Sequence, residues 1–131
     1  MNTKTATIDH TSTTLRAQTV CLAIPLLPGA SSRDREEMLS CWQGERSEQH
    51  TASRRHHGIT RESVWIQSTP AGDVAVVLIE SPDISKAMLG LATSQEPFDV
   101  WFRAHVSAVH GLDLTQGVSL PEPILDYRAG Q

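Results

Sequence analysis

The chain is poor in the residues that usually mark a metal, redox or membrane function. It has 131 residues, of which two are cysteines, two are phenylalanines and one is a tyrosine. Cys21 and Cys41 show neither a CxxC nor a zinc-knuckle spacing, so we expect both to be small core residues with reduced thiols. The sequence also lacks a signal-peptide h-region and any run near the roughly eighteen apolar residues of a membrane span. These absences predict a cytoplasmic protein without a membrane partner.

The chain also lacks an excess of basic residues, because its formal net charge is −4 and its pI is near 5.8. Nucleic-acid-binding domains usually carry a basic face, so we expect no nucleic-acid partner. Basic and acidic residues do alternate in one stretch: Glu45, Arg46, Glu48, Arg54, Arg55, Arg61 and Glu62. Such alternation is typical of a solvated, ion-paired helix face. We find no His-x-x-x-His pair, acidic cluster or Gly-rich phosphate loop, so we expect no metal and no cofactor.

Two neighbouring segments, 62–69 and 74–81, predict a β-hairpin that is apolar on both faces. In the first segment Val64 and Ile66 point one way and Trp65 points the other, while the second is apolar at every position from Val74 to Ile79. Side chains alternate along a strand, so this pattern means that both faces of the sheet are covered. Helices of the same chain can cover one face, and the other face then needs a partner. The pattern therefore predicts a homodimer.

The order of the remaining segments predicts a βαββαβ chain. We expect a flexible leader over 1–17, a strand over 18–27, and a helix over 33–56 that Gly44 weakens or bends. Further helices follow the hairpin up to His110, and 121–128 is expected to form a short last strand. This is the ferredoxin-like α+β fold, with two helices on one face of a four-stranded antiparallel sheet. Two such sheets, face to face, would make a dimeric α+β barrel from a single domain over 18–128.

Several motifs resemble a family of small bacterial proteins of unknown function. They are HHGITRESVWIQ at 56–67, PAGD at 70–73, ATSQEPFDVWF at 92–102 and HGLDL at 110–114. The layout is more distantly similar to the dimeric α+β barrel superfamily. That group includes antibiotic-biosynthesis monooxygenases, polyketide cyclases, muconolactone-isomerase-like proteins and haem-degrading oxygenases. The resemblance implies a fold and a dimer more than a reaction. Haem degradation is disfavoured, because the only asparagine is Asn2 in the leader.

His105 is the main candidate for catalysis. It lies on the helix face formed by Phe98, Trp101, Phe102 and Val109, where an apolar residue is expected. In superfamily members that have a site, the pocket lies between the sheet and the helices, and this face would line it. A buried imidazole can act as a general base near neutral pH. The alternative is a core histidine whose hydrogen bonds are satisfied within the fold.

Six further residues complete the predicted site. Trp65 and Gln67 share one strand face and could grip a planar substrate, although Trp65 could equally fill the dimer interface. Trp101 and Phe102 would hold the apolar body of the substrate. His57 and Arg61 lie where the first helix meets the second strand, and Arg61 could bind an enolate oxygen or simply pair with Glu62.

These residues predict a cofactor-independent enzyme of the oxygenase, isomerase or cyclase type. Its substrate would be a small hydrophobic or aromatic molecule of secondary metabolism, with His105 moving a proton and Arg61 or Gln67 steadying an oxygen. The alternative is a protein that binds a small ligand without catalysis, or a purely structural homodimer. The sequence does not decide between them.

Overall fold

Three antiparallel strands and four α-helices make up residues 17–130, the part of the chain that the computed structural model describes. The fold is therefore α+β, as predicted. In chain order the elements are β1 (Gln18–Pro25), α1 (Ser31–Gln43), α2 (Ser47–His56), β2 (Arg61–Thr69), β3 (Gly72–Ser81), α3 (Ile84–Thr93), α4 (Pro97–His110) and a 3-10 helix (Leu114–Gln116).

The strand order is β1-β3-β2, so β3 is the central strand and the predicted hairpin of β2 and β3 is confirmed. Gly72 supplies the positive φ of 126° that the tight turn between these strands needs. Directly opposed residues share a face of the sheet. Val64 pairs with Val77 on one face, and Trp65 pairs with Val76 on the other.

The two faces differ in what covers them. On the inner face, Val20, Leu22 and Ile79 form a core with buried side chains of α3, including Ile84 and Leu91. The outer face is half-buried or exposed, although most of its side chains are apolar: Cys21, Ala23, Pro25, Trp65, Val74, Val76 and Leu78. The prediction of a sheet with two apolar faces is confirmed, and the described helices bury only one of them.

The single helix predicted over 33–56 is wrong, because α1 and α2 are separate helices that meet at Gly44. A Cβ on Gly44 would lie 2.7 Å from Ser40 Cα, so only glycine lets the chain turn this closely against α1. The Arg46 amide then donates to the Ser40 carbonyl at 2.9 Å, which closes the turn. The break matters for the site because it sets the direction of α2.

α4 has the ends that the sequence predicts, whereas the start predicted for α3, with Ser81 as the cap and Pro82 at the first helical position, is wrong. α4 begins at Pro97 and stops at Gly111, whose φ of 68° is left-handed and whose amide donates to the Ser107 carbonyl. α3 is capped by Asp83, whose side chain accepts from the Lys86 amide. Gly111 and Asp83 therefore satisfy backbone groups at the end of α4 and at the start of α3.

The predicted four-stranded βαββαβ layout is wrong. Within the described residues the sheet has only three strands, and 121–128 forms no strand. Pro121 and Pro123 have no amide hydrogen to give to a ladder, and Ile124 and Tyr127 are 91% and 81% exposed. A dimeric barrel of two four-stranded sheets therefore does not fit this chain. Apart from Ala17, the predicted leader lies outside the described residues.

Candidate active site

A cavity of about 790 Å³ lies between α1, α2 and the β2 edge of the sheet. It exists because α1 and α2 pack against each other and against α4, and leave the inner face of β2 open. Its volume falls in the range of small-molecule sites in proteins. The lining residues are Asp34, Arg35, Met38, Leu39, Cys41, Trp42, His50, Thr51, Glu62, Ser63, Val64, Trp65, Ile66 and Phe102. The walls are mainly apolar, with a few polar groups.

The first polar group is a histidine–carboxylate pair in the wall. His50 Nε2 lies 2.7 Å from Glu62 Oε1, and the Arg54 guanidinium donates to both Glu62 oxygens at 2.9 and 3.3 Å. Burial acts to raise the pKa of Glu62, but the Arg54 charge and the hydrogen bonds from His50 and Arg54 together lower this pKa to about 2. Glu62 is therefore ionised at neutral pH and can only accept.

The state of Glu62 fixes the tautomer of His50. Since Glu62 Oε1 carries no proton, His50 Nε2 must carry one and donate it. The other ring nitrogen, Nδ1, makes no hydrogen bond within residues 17–130. His50 is 23% exposed at its side chain and lines the cavity. In its neutral form, His50 thus has a free basic nitrogen and a buried anion behind it.

Arg54 is the cation that holds this arrangement in place. Its residue is 5% exposed, and its guanidinium lies 4.4 Å above the ring of Phe102. It also donates to Ser53 Oγ at 3.0 Å. The carboxylate, the hydroxyl and the aromatic face around the buried guanidinium together compensate for its loss of water. Arg54 therefore packs against Phe102, which lines the cavity.

The second polar group is centred on His105. Its Nε2 lies 2.8 Å from Asp34 Oδ1 and its Nδ1 lies 2.5 Å from Glu37 Oε1. Burial acts to lower the pKa of His105, but the hydrogen bonds and charges of Asp34 and Glu37 outweigh burial and raise this pKa above its usual value. Both ring nitrogens therefore donate, and His105 is an imidazolium held between two carboxylates. Asp34 Oδ2 is buried and has no hydrogen-bond partner within 17–130.

Aromatic rings surround this imidazolium. Trp101 stacks on His105 with ring centroids 5.7 Å apart, and Phe102 lies on it at 6.3 Å. The Arg46 guanidinium covers Trp101 at 4.2 Å. Trp101 therefore contacts both Arg46 and His105 and is not among the residues that line the cavity, whereas Phe102 is.

A third cluster joins α2 to the start of α4. His57 Nε2 lies 2.9 Å from Asp99 Oδ2, and Ser53 Oγ donates to Asp99 Oδ1 at 2.5 Å. All three side chains are buried. The carboxylate stands between the hydroxyl and the imidazole, so His57 cannot take a proton from Ser53 as it would in a hydrolase triad. This cluster anchors two helices and carries no nucleophile.

The structure divides the site predicted from the sequence between the two sides of the sheet. His105 and Phe102 lie on the inner side, and His105 lines a narrower cavity of about 70 Å³ that shares Phe102 with the main one. Arg61 and Gln67 lie on the outer face, where Arg61 is 3.8 Å from Glu80. The remaining predicted residues have three different positions. Trp65 lines the edge of the main cavity, Trp101 stacks on His105, and His57 binds Asp99.

Sequence reasoning missed the polar groups that the main cavity does contain, namely Asp34, His50 and Glu62. The alternation of arginine and glutamate around them suggested a solvated helix face. Glu62 was instead considered as a partner of Arg61, its neighbour in sequence. The available signal was strand alternation, which places Glu62 on the same face as Val64 and Ile66 and so marks it as an inward-facing carboxylate.

Comparison with known proteins adds no further assignment. The chain matches no protein-family model, and no curated protein is significantly similar to it. The family resemblance noted in the sequence therefore stays a prediction. In the part of the chain that the structure describes, no group of three or more His, Cys, Asp and Glu side chains is placed to hold a metal ion. None of the described helices is both long enough and apolar enough to cross a membrane.

Proposed function

We propose that this protein is a cofactor-independent enzyme that acts on a small, largely apolar molecule by proton transfer at His50. One observation supports this proposal above the others: His50 lines a cavity of ligand size and is held by the ionised carboxylate of Glu62. A histidine that is oriented by a carboxylate and faces an apolar cavity is the arrangement that general-base catalysis requires.

The proposed chemistry follows from the free nitrogen of His50. Nδ1 takes a proton from an acidic C–H or O–H of the bound molecule, and the ring becomes an imidazolium. Glu62, 2.7 Å from Nε2, stabilises the positive charge that develops on the ring. Arg54 keeps Glu62 ionised, so the carboxylate does not take the proton itself. Isomerisation, cyclisation and cofactor-independent oxygenation can all begin with this step.

The apolar walls define the class of substrate. Met38, Val64, Ile66 and Phe102 surround the cavity and would bury the body of a hydrophobic or aromatic molecule. The catalytic role predicted for His105 stays a prediction. Because both nitrogens of His105 donate to carboxylates, its part in this scheme is to fix Asp34 rather than to accept a proton.

A generic proton-abstraction substrate tests the proposal without knowledge of the natural one. 5-Nitrobenzisoxazole is small, planar and neutral; a base removes its ring C–H proton, the N–O bond breaks, and a coloured cyanophenolate forms. We expect saturable turnover of this substrate by the wild-type protein. His50→Gln should lower this rate about a hundredfold or more, because general-base catalysis contributes at least that factor.

His56→Gln is the matched control, since His56 is an exposed histidine of the same helix. Loss of activity in both variants, or in neither, would argue against His50 as the base. Binding is measured separately by the fluorescence of N-phenyl-1-naphthylamine, a neutral apolar probe. Val64→Phe, which fills the cavity from β2, should abolish probe binding. Probe binding without any elimination activity would favour the alternative, a protein that binds a small molecule without catalysis.

We also propose that the protein is a homodimer through the outer face of its sheet. This face carries apolar residues on all three strands, with Ala23, Val76 and Trp65 in one row across it. Trp65 is 51% exposed, and the tail residues Ile124 and Leu125 are more exposed still. A second copy of the chain has the same apolar residues, so a twofold contact would bury both sets at once.

A further inference from the structure

Asp34 has one carboxylate oxygen that the fold leaves without a partner. The residue is 2% exposed and lines both the main cavity and the narrower one beside it. His105 donates to Oδ1, but Oδ2 accepts no hydrogen bond within residues 17–130. Nearly all buried polar atoms in native proteins have a partner, and each exception calls for an explanation. A carboxylate oxygen accepts strongly, and Asp34 is a lining residue of both cavities.

The charges around Asp34 leave this oxygen in need of a donor. The imidazolium of His105 lies between Asp34 and Glu37, so the three side chains together carry one negative charge. Arg33, which contacts Glu37 at 3.3 Å, is 58% exposed, so solvent screens its charge. Arg35 belongs to the cavity wall but is exposed, and its charge acts on Asp73. Neither arginine donates to Asp34 Oδ2.

We propose that Asp34 Oδ2 is the binding site for the polar end of the ligand, and that this end is an ammonium group or, more weakly, a hydroxyl group. The inference rests on the cavity-binding function proposed above and adds the polarity of the ligand to it. Phe102 and the apolar walls hold the body of the molecule, and the donor group satisfies the buried oxygen. A ligand that ends in a carboxylate would place two anions together and is excluded.

A series of three matched ligands tests this selectivity on the wild-type protein. 2-Phenylethylamine, 2-phenylethanol and 3-phenylpropionate share an aromatic body and differ in the charge of the polar end. Calorimetry at pH 7 should give the tightest binding for the amine, binding about tenfold or more weaker for the alcohol, and weaker binding again for the carboxylate. Equal affinities, tighter binding of 3-phenylpropionate, or no binding of any of the three would overturn the inference.

Asp34→Asn makes the test specific to the atom. Because His105 Nε2 donates, the asparagine must turn its oxygen towards His105 and its NH₂ group towards the position of Oδ2. The variant should therefore lose the preference for the amine and bind 3-phenylpropionate at least as well. Asp126→Asn removes the same charge from an exposed site and should leave the wild-type order unchanged. An Asp34→Asn protein that keeps the wild-type order would contradict the inference, and if the variant does not fold, the wild-type series still decides.

The inference and the proposed function fail in different ways. Elimination of 5-nitrobenzisoxazole uses a neutral substrate and depends on His50, not on an ammonium at Asp34. If that activity needs His50 but the ligand series shows no preference for the amine, only the inference about Asp34 is wrong. If the amine is preferred but His50→Gln has full activity, the ligand site stands and the catalytic proposal falls.

Discussion

Arg54 and Glu62 form a buried ion pair between α2 and β2, with the guanidinium Nε 2.9 Å from Oε1 and side chains that are 6% and 10% exposed. This pair is the link between a helix and the strand that it otherwise faces across a cavity. Its geometry is bidentate, and both charges have further partners in His50 and Phe102. The pair therefore sets both the position of His50 and the stability of this side of the fold.

Glu62→Gln should destabilise the protein by about 3–5 kcal/mol, because it leaves the Arg54 charge buried without its counterion. Urea unfolding of the variant and the wild type measures the difference. Glu48→Gln is the control, because it removes an exposed glutamate from the first turn of α2, the helix that carries Arg54. It should change the free energy of unfolding by about 1 kcal/mol or less. Equal urea midpoints for the two variants would show that the buried pair does not stabilise the fold.

The pair also predicts how stability responds to acid. The pKa of Glu62 falls from 4.5 to about 2 on folding, so its contribution is fully present above pH 4.5 and is lost as the pH falls towards 2. A shift of this size is worth on the order of 3 kcal/mol. The free energy of unfolding of the wild type should fall as the pH is lowered from 4.5 towards 2. In Glu62→Gln this decrease should be smaller, because the variant has no carboxylate at this position to protonate. Parallel acid titrations of the two proteins would contradict the assigned ionisation.

His105 should have the opposite pH dependence. Its folded-state pKa is raised above 6.5, so the folded protein binds more protons than the unfolded chain above that pH. Stability from His105 is therefore fully present below pH 6.5 and is lost as the pH rises through the folded-state pKa. Unfolding by urea at pH 6, 7.5 and 9 should show this decrease in the wild type, and His105→Gln should be flatter across the same range. An NMR titration in which no histidine has a pKa above 6.5 would contradict the raised pKa of His105.

Much of the fold follows from local rules, and the site does not. Alternation in β2 correctly separates Val64 and Ile66 from Trp65, and proline and glycine mark the ends of α4. The tail was misjudged because Ile124 and Leu125 are apolar, although apolar residues need a neighbour in a ladder to form a strand. Composition alone does not reveal whether that neighbour exists.

The polar groups of the cavity were missed for a different reason. His50 and Glu62 are twelve residues apart, and Asp34 and His105 are 71 residues apart. A charged residue in a helix is normally solvated, and only the docking of that helix shows which one is buried. The sequence marks His105 because it interrupts an apolar helix face. The sequence around His105 does not predict its partners, which lie on α1.

Gly90→Ala should destabilise the protein although alanine favours helices. Gly90 lies in α3, and a Cβ at this position would overlap the ring of His57. We expect a loss of about 1–3 kcal/mol in thermal or urea unfolding, because the ring is held by Asp99 and cannot move freely. In a His57→Ala background the same change should instead stabilise by up to about 1 kcal/mol. A stabilising Gly90→Ala in the wild type would show that the ring does not lie against α3.

Val76→Lys tests the proposed homodimer. Val76 lies at the centre of the outer face, between Ala23 and Trp65, so a lysine there would place two like charges in a twofold interface. Sedimentation at micromolar concentration should show the wild type at twice the chain mass of 14.3 kDa and the variant at the chain mass. Ser85→Lys, on an exposed position of α3, is the control and should remain dimeric. A wild-type protein that sediments only at the chain mass would exclude the dimer.

The ten-residue helix α2 carries His50 and Arg54 four residues apart, and His57 caps its C-terminal end. Its break from α1 at Gly44 makes it a separate helix, which packs against α1 and α4 and is also held by these side chains. We therefore expect that a change that removes the contact between His57 and Asp99 also displaces the His50 imidazole in the cavity wall. Substitutions at positions that do not contact the substrate should therefore also change the catalytic activity.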